Sequence, residues 1–321
     1  MKLGVFTVLL GQKKLDEACG YLAQLGVQAV ELGSGGYPGK AHCNPSELLA
    51  EPGKIEEFKA SISKYGLEIS SLSCHGNPVH PQKELAEGFD KDFRETVLLA
   101  EKLGVKRVVT FSGCPGDCPE SRYPNWVTCA WPPDYPEILE YQWNSVLIPY
   151  WKKTAEFSLK HGVDKIALEM HPGFCVYNPE TLLKLRAAVG PAIGANLDPS
   201  HLFWQGIDIP SAIRLLGEAI FFVHAKDSIT DPMNCACNGV LDHKHYSDEI
   251  KRSWLFRTVG CGHSYQVWND VFTNLRMAGY DDVVSIEHED SLMSVNEGLK
   301  KAVAFLKETM MFEETGGMWW A

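Results

Sequence analysis

Short runs of β-branched and apolar residues alternate with longer amphipathic stretches along the whole chain, and that alternation most restricts the fold. Strand-like runs fall at 3–8, 27–32, 67–73, 106–111, 165–170, 192–197, 219–224 and 283–287. Between them, apolar residues recur three and four apart, as in Leu15, Ala18, Leu22 and Leu25, or in Phe93, Val97, Ala100 and Leu103. The last stretch repeats the pattern with Val295, Leu299, Val303, Leu306 and Met310. Gly26, Gly66, Gly104, Gly162 and Gly279 stand before the next strand-like run, where a helix stop is expected. Eight strand–helix units in 321 residues predict an α/β fold, a single (β/α)8 TIM barrel over 1–321. No GxGxxG follows the first strand, so a doubly wound dinucleotide-binding sheet lacks its fingerprint.

Charge narrows the function. Thirty Lys and Arg against 41 Asp and Glu leave a formal net charge of −11. Such a surface suits neither phosphate backbones nor anionic membranes, so neither nucleic acid nor a membrane is an expected partner. No apolar run approaches the roughly 18 residues of a membrane-crossing helix, and no secretory signal pattern is present. A cytoplasmic protein with a small-molecule ligand is the expectation. Of the ten cysteines, Cys114 and Cys118 have zinc-type spacing but lack a second matched pair. Cys235 and Cys237 are too close together, and free thiols are expected.

Two connections exceed the usual two to six residues. One, about 112–136, carries Arg122, Trp126 and Trp131; the other, about 226–263, carries His243, His245, Arg257 and His263. Both follow strands, so both are expected as lids on the C-terminal face, where barrel active sites are built. Trp126 and Trp131 would then line a substrate pocket. The tail 312–321, with Trp319 and Trp320, is apolar for a terminus and is expected to dock on a neighbour or to fray.

Strands five to eight share a property: each apolar run ends in a metal-competent side chain. These ends are Glu169, Asp198, His224 and Glu287. In a barrel they are neighbours in space, and clustered carboxylates at the end of a core need a compensating cation. Three carboxylates and one imidazole suit one divalent ion, Mn2+ first, then Co2+, Zn2+ or Mg2+.

The segments Asp198-Pro199-Ser200-His201, His224-Ala225-Lys226-Asp227, Phe256-Arg257-Thr258-Val259-Gly260 and Ser285-Ile286-Glu287-His288-Glu289-Asp290 resemble the xylose isomerase-like barrel superfamily of sugar phosphate isomerases and epimerases. The resemblance covers nearly the whole chain. Its ketose 3-epimerase branch implies that Glu169, Asp198, His224 and Glu287 bind the metal, that Glu169 and Glu287 shuttle protons through an enediolate, and that His201 holds substrate. Arg257 and His263 are substrate-loop residues by the same resemblance. A C-glycoside deglycosidase branch implies the runner-up: a lyase that cleaves 3-keto-glycosides by β-elimination, with a small second subunit. The DNA-repair branch needs a ligand on the fourth strand, which ends Val108-Val109-Thr110-Phe111-Ser112, and a basic groove. Lids in the superfamily are often completed by a neighbouring copy, so a homo-oligomer is expected.

Further candidates come from position. His75 follows the third strand and reaches the same face, where it would contact a sugar hydroxyl. His171 and Glu289 lie two residues beyond Glu169 and Glu287, on the same side by alternation, as relays or supports of the ligands. Lys226 would bind an anionic oxygen or pair with Asp227 or a nearby carboxylate. Asp242-His243-Lys244-His245 reads as a polar loop rather than a second metal site. The expected chemistry is isomerisation or epimerisation of a carbohydrate by proton abstraction beside a carbonyl.

Overall fold

Eight strands close on themselves in a computed structural model that describes residues 1–318 and 320. They are β1 (Lys2–Phe6), β2 (Ala29–Gly33), β3 (Glu68–Ser73), β4 (Arg107–Thr110), β5 (Lys165–Glu169), β6 (Ile193–Leu197), β7 (Ile220–Ala225) and β10 (Val283–Ile286). All neighbours are parallel, in the order β1-β10-β7-β6-β5-β4-β3-β2. The eight units read from the sequence are therefore the eight staves of the barrel.

Helices cover the outside through the apolar stripes that the spacing announced. The helix Lys83–Leu103 buries Phe93, Val97, Ala100 and Leu103 and stops at Gly104, whose φ of 76° suits a residue without a Cβ. The last helix, Val295–Thr309, buries Leu299, Ala302, Val303 and Leu306, and the Ser294 side chain caps its first turn. Inside the barrel sits a small apolar cluster of Ala29, Val109, Ala167, Phe221, Phe222 and Val283. Side chains two positions further along a strand share its face. This places Glu31 above Ala29, Glu169 above Ala167 and His224 above Phe222, at the C-terminal mouth.

The two long connections differ in kind. Within 226–263, β8 (Asp227–Thr230) and β9 (Trp254–Arg257) form an antiparallel hairpin, with the helix Pro232–Asn238 between them. No strand was expected there, because four-residue runs beside polar loops carry little periodicity. Trp204 and Trp254 stack at 4.6 Å with planes 3° apart and, with Phe256, form an apolar cluster separate from the main core. The 112–136 connection has no regular element until the helix Asp134–Glu140. Among the described residues no helix is long and apolar enough to cross a membrane. In the tail, Trp320 is exposed, and Trp319 lies outside the described residues.

Candidate metal centre at the barrel mouth

Barrel closure brings together groups that are far apart in sequence. One ligand-type atom from each of Glu169, Asp198, His224 and Glu287 lies within 4.8 Å of the others. Ligands about 2.0–2.4 Å from a shared ion can be no further apart than about 4.8 Å, so the set has the right span. Glu169 ends β5 and His224 sits in β7; Asp198 and Glu287 immediately follow β6 and β10. Asp198 also caps the helix Pro199–Phe203, its Oδ1 accepting from the Ser200 N–H at 2.9 Å, which fixes the carboxylate.

The charge pattern fits a cation. His224 Nδ1 lies 3.0 Å from Glu287 Oε2 and 3.3 Å from Glu169 Oε2. Asp198 Oδ2 is buried and accepts no well-directed hydrogen bond, although Lys226 Nζ is 3.1 Å away. A hard-to-satisfy oxygen, two further carboxylates and a ring nitrogen facing one point form a divalent-metal donor set.

Three histidines brace Glu169. His201 Nε2 is 3.0 Å from its Oε1, and His75 Nε2 is 3.1 Å from its Oε2. Burial alone would raise the Glu169 carboxyl, but hydrogen bonds with His201, His224 and His75 hold it well below the usual carboxylate range. Burial opposes charge on His224 too, yet the carboxylates of Glu31, Glu169 and Glu287 push its pKa well above the usual imidazole value. At Glu287 burial is again outweighed, here by the Lys226 charge and the contact with His224, and its pKa falls. His171 packs its ring 4.0 Å from that of His201, and burial together with the His201 charge lowers its pKa to about 3.

A cavity of about 200 Å3 lies over these groups, lined by Phe6, Val8, Tyr37, Pro38, His75, Phe111, Glu169, Glu287 and Glu289. A second, about 440 Å3, is lined by His171, Tyr246, Leu255, Phe256, Glu289 and Ser291. Glu289 is common to both. Gly36 makes the approach of the β2 loop possible: with φ 62°, a Cβ there would stand 1.9 Å from the His75 carbonyl oxygen.

Several of the expected site residues have partners within the protein. Lys226 is buried, with Nζ 2.9 Å from Glu287 Oε2, 3.0 Å from Glu289 Oε2 and 3.4 Å from His201 Nε2. An ammonium has three N–H groups, and these neighbours with Asp198 surround it as an internal counter-charge. Those carboxylates outweigh burial and hold its pKa well above the usual value. It does not pair with Asp227. Arg257 binds Asp290 through Nε at 3.1 Å, tying β9 to the connection after β10. His263 lies 2.7 Å from Asp227 Oδ1 and stacks on Phe203, so it serves the hairpin. Trp126 packs edge-on against Tyr177 and lines a different cavity with Trp143 and Lys184, while Trp131 is 76% exposed. Neither lines the two cavities above the metal-competent set; the aromatic wall comes from Phe6, Tyr37, Phe111, Tyr246 and Phe256 instead. Among the described residues the potential metal groups contain no cysteine, and neither includes His243 or His245.

Two residues escaped the sequence reading. Asn196 Nδ2 donates to Glu169 Oε2 at 3.0 Å and lies 3.0 Å from His224 Nδ1. Glu31 is fully buried, 3.0 Å from His224 Nε2 through both oxygens. Its signal was present in Ala29-Val30-Glu31-Leu32-Gly33, a lone acid inside an apolar strand.

Comparisons with known proteins agree with this architecture. The uncharacterized protein YfiH of Bacillus subtilis (strain 168) is 42% identical over 312 residues, covering 97% of this chain and 99% of its own. Among solved structures, L-ribulose 3-epimerase superposes with a TM-score of 0.64 at 16% identity, over 96% of this chain and 94% of that one. The 3-keto-D-glucoside 4-epimerase YcjR from E. coli gives 0.63 at 14%, over 96% and 99%. Such distant likenesses speak for the fold. Residues 19–309, from the first helix to the last, match the family described as xylose isomerase-like TIM barrel, and to that family this chain belongs.

Proposed function

We propose that the protein is a divalent-metal-dependent sugar isomerase or epimerase that abstracts a proton beside a carbonyl. The observation that carries this reading is the convergence of Glu169, Asp198, His224 and Glu287 beneath a cavity at the barrel mouth. Mn2+ fits the donor set first, with Co2+, Zn2+ or Mg2+ next. When bound, the ion supplies Lewis-acid stabilisation of the negative charge that proton removal places on a substrate oxygen.

The chain's own groups do the rest. Glu169 and Glu287 both line the cavity, where their carboxylates can take a proton from one carbon and return one to the same or the adjacent carbon. His201 and His75 hold the Glu169 carboxylate in one orientation. Lys226 keeps Glu287 and Glu289 together and offsets part of their charge. Phe6, Tyr37 and Phe111 wall off water around the reacting carbons.

The larger second cavity favours a second reading. Tyr246, Leu255 and Phe256 give room for a ring-bearing substituent beside the metal-competent pocket. A 3-keto-glycoside would start with the same proton abstraction and end by β-elimination; a small second subunit belongs to this reading alone. One experiment separates the two. The metal-loaded protein is incubated in D2O with free ketoses and, in parallel, with methyl and aryl 3-keto-glycosides. Deuterium beside the carbonyl of a ketose, with an isomeric product, supports the first reading. Release of aglycone supports the second. Product formed in either series with no solvent deuterium at low conversion, once a shielded proton shuttle is excluded, would sink the proton-abstraction mechanism.

A further inference from the structure

Glu31 is a fully buried acid inside the barrel that has no part in the proposed ligand set. It points inward from β2 with no exposed surface, and its ion-pair partner is His224 on β7, on a strand that is not its neighbour. Ser285 on β10 donates its Oγ–H to Glu31 Oε2 at 2.6 Å, and Ser73 on β3 donates to Oε1. Both oxygens lie 3.0 Å from His224 Nε2. Removing an ionised carboxylate from water costs several kcal/mol unless donors surround it, and here the donors are two hydroxyls and one ring N–H.

We propose that Glu31 is a positioning residue that fixes the tautomer of His224, so that Nδ1 faces the metal. Both Glu31 oxygens face Nε2 and already accept from the two serine hydroxyls, which assigns the ring's N–H to Nε2. Nδ1 faces the carboxylate oxygens of Glu287 and Glu169; a bound ion would displace any hydrogen held there, while Nε2–H stays on Glu31 and keeps the ring turned with Nδ1 towards the ion. The two serines hold the Glu31 carboxylate so that it presents both oxygens to Nε2 rather than turning away. Phe6 stacks 5.9 Å from the imidazole and limits rotation of the ring. The proposal rests on the metal reading above, because the orientation matters only where Nδ1 is a ligand.

The test uses the full chain, wild type and Glu31→Gln and Glu31→Leu, each stripped and reloaded with Zn2+. Affinity is read by chelator competition, and the imidazole by 15N–1H NMR of the Zn2+-loaded protein. The wild type should show a slowly exchanging downfield Nε2–H for His224, with Nδ1 shifted by coordination. Glu31→Leu should weaken Zn2+ by about 10- to 100-fold and lose that signal. Glu31→Gln keeps an acceptor for Nε2–H, because the serine hydroxyls can reverse their donation, so it should stay closer to the wild type in both readouts. Coordination through Nε2, or Leu and wild-type proteins of equal affinity, overturns the proposal. A Gln variant as weak as Leu also overturns it and assigns Glu31 to charge balance alone. If Leu fails to fold, Ser285→Ala replaces it, with a few-fold loss and faster Nε2–H exchange expected; no change in either overturns the proposal. A wild type that binds no divalent ion would instead bring down the metal reading itself.

Discussion

At the scale of single residues, the four-residue set depends on the two-residue period of a strand. Glu169 and His224 share a face with Ala167 and Phe222, and their places at strand ends were visible in the sequence. Asp198 and Glu287 follow their strands directly, and their strand-end positions were equally visible. What the spacing alone could not show was the convergence, because barrel closure creates it. Pairing of Lys226 with a nearby carboxylate was among the expectations, but which acids take it, Glu287 and Glu289, only the closed barrel decides. Glu31 was missed for a related reason: an acid within a strand is ordinary when one face is solvated, and β2 is buried along its whole length. The residue-scale prediction concerns Glu287. Glu287→Gln keeps the volume but removes both the negative charge and the proton acceptor. Turnover should fall by a factor of about 100 to 10,000 while circular dichroism stays unchanged. Retention of more than a tenth of wild-type turnover would remove Glu287 from the proposed proton transfer.

Among the elements, the β8–β9 hairpin is the one the sequence hid, and Asp227 organises it. Its Oδ2 accepts from the N–H groups of Gly260, Gly262 and His263 at 2.9–3.1 Å and from Trp268 Nε1 at 3.2 Å. Its Oδ1 takes the Ser228 N–H at 2.9 Å. One buried carboxylate thus closes the base of the long connection and aims Phe256 towards the mouth. Asp227→Ala would leave these donors without an acceptor, at a cost of about 3 kcal/mol or more, since hydrogen bonds to charged groups contribute about 1.5–3 each. Limited proteolysis should then cut between 231 and 252 well before global unfolding in denaturant. An Asp227→Ala protein as protease-resistant as the wild type would show that the aromatic cluster alone holds the hairpin. The three helices whose stripes were spelled out, by contrast, were legible, because their periodicity is a local signal that barrel packing does not override.

The molecule as a whole is tied at the end opposite the cavities. Arg107 on β4 crosses the barrel floor, with Nη2 donating to the Ser70 carbonyl at 3.0 Å, Nη1 to Asp282 Oδ2 at 2.8 Å and to the Phe221 carbonyl. Burial would raise the Asp282 carboxyl, but the Arg107 charge and hydrogen bond lower it. A depressed folded-state pKa means stability that is present above the unfolded value of about 3.9 and is lost as pH falls through the folded value. Asp282→Asn should therefore cost about 1 kcal/mol at neutral pH, a modest figure because Asp282 is partly exposed. The variant should also lose less further stability on acidification. Equal acid limbs in urea titrations at successive pH values would assign the acid sensitivity to other carboxylates.

The barrel also divides its labour around its circumference. The metal-competent groups come from β5, β6, β7 and β10, whereas Phe6, Tyr37, His75 and Phe111 come from the ends of β1 to β4 or the loops after them. Under the proposed function, one semicircle would carry the reactive groups and the other most of the mould around the substrate. On that reading, drift or directed evolution could remodel the mould while the other semicircle stays fixed, so that new substrates would become accessible without rebuilding the proposed centre.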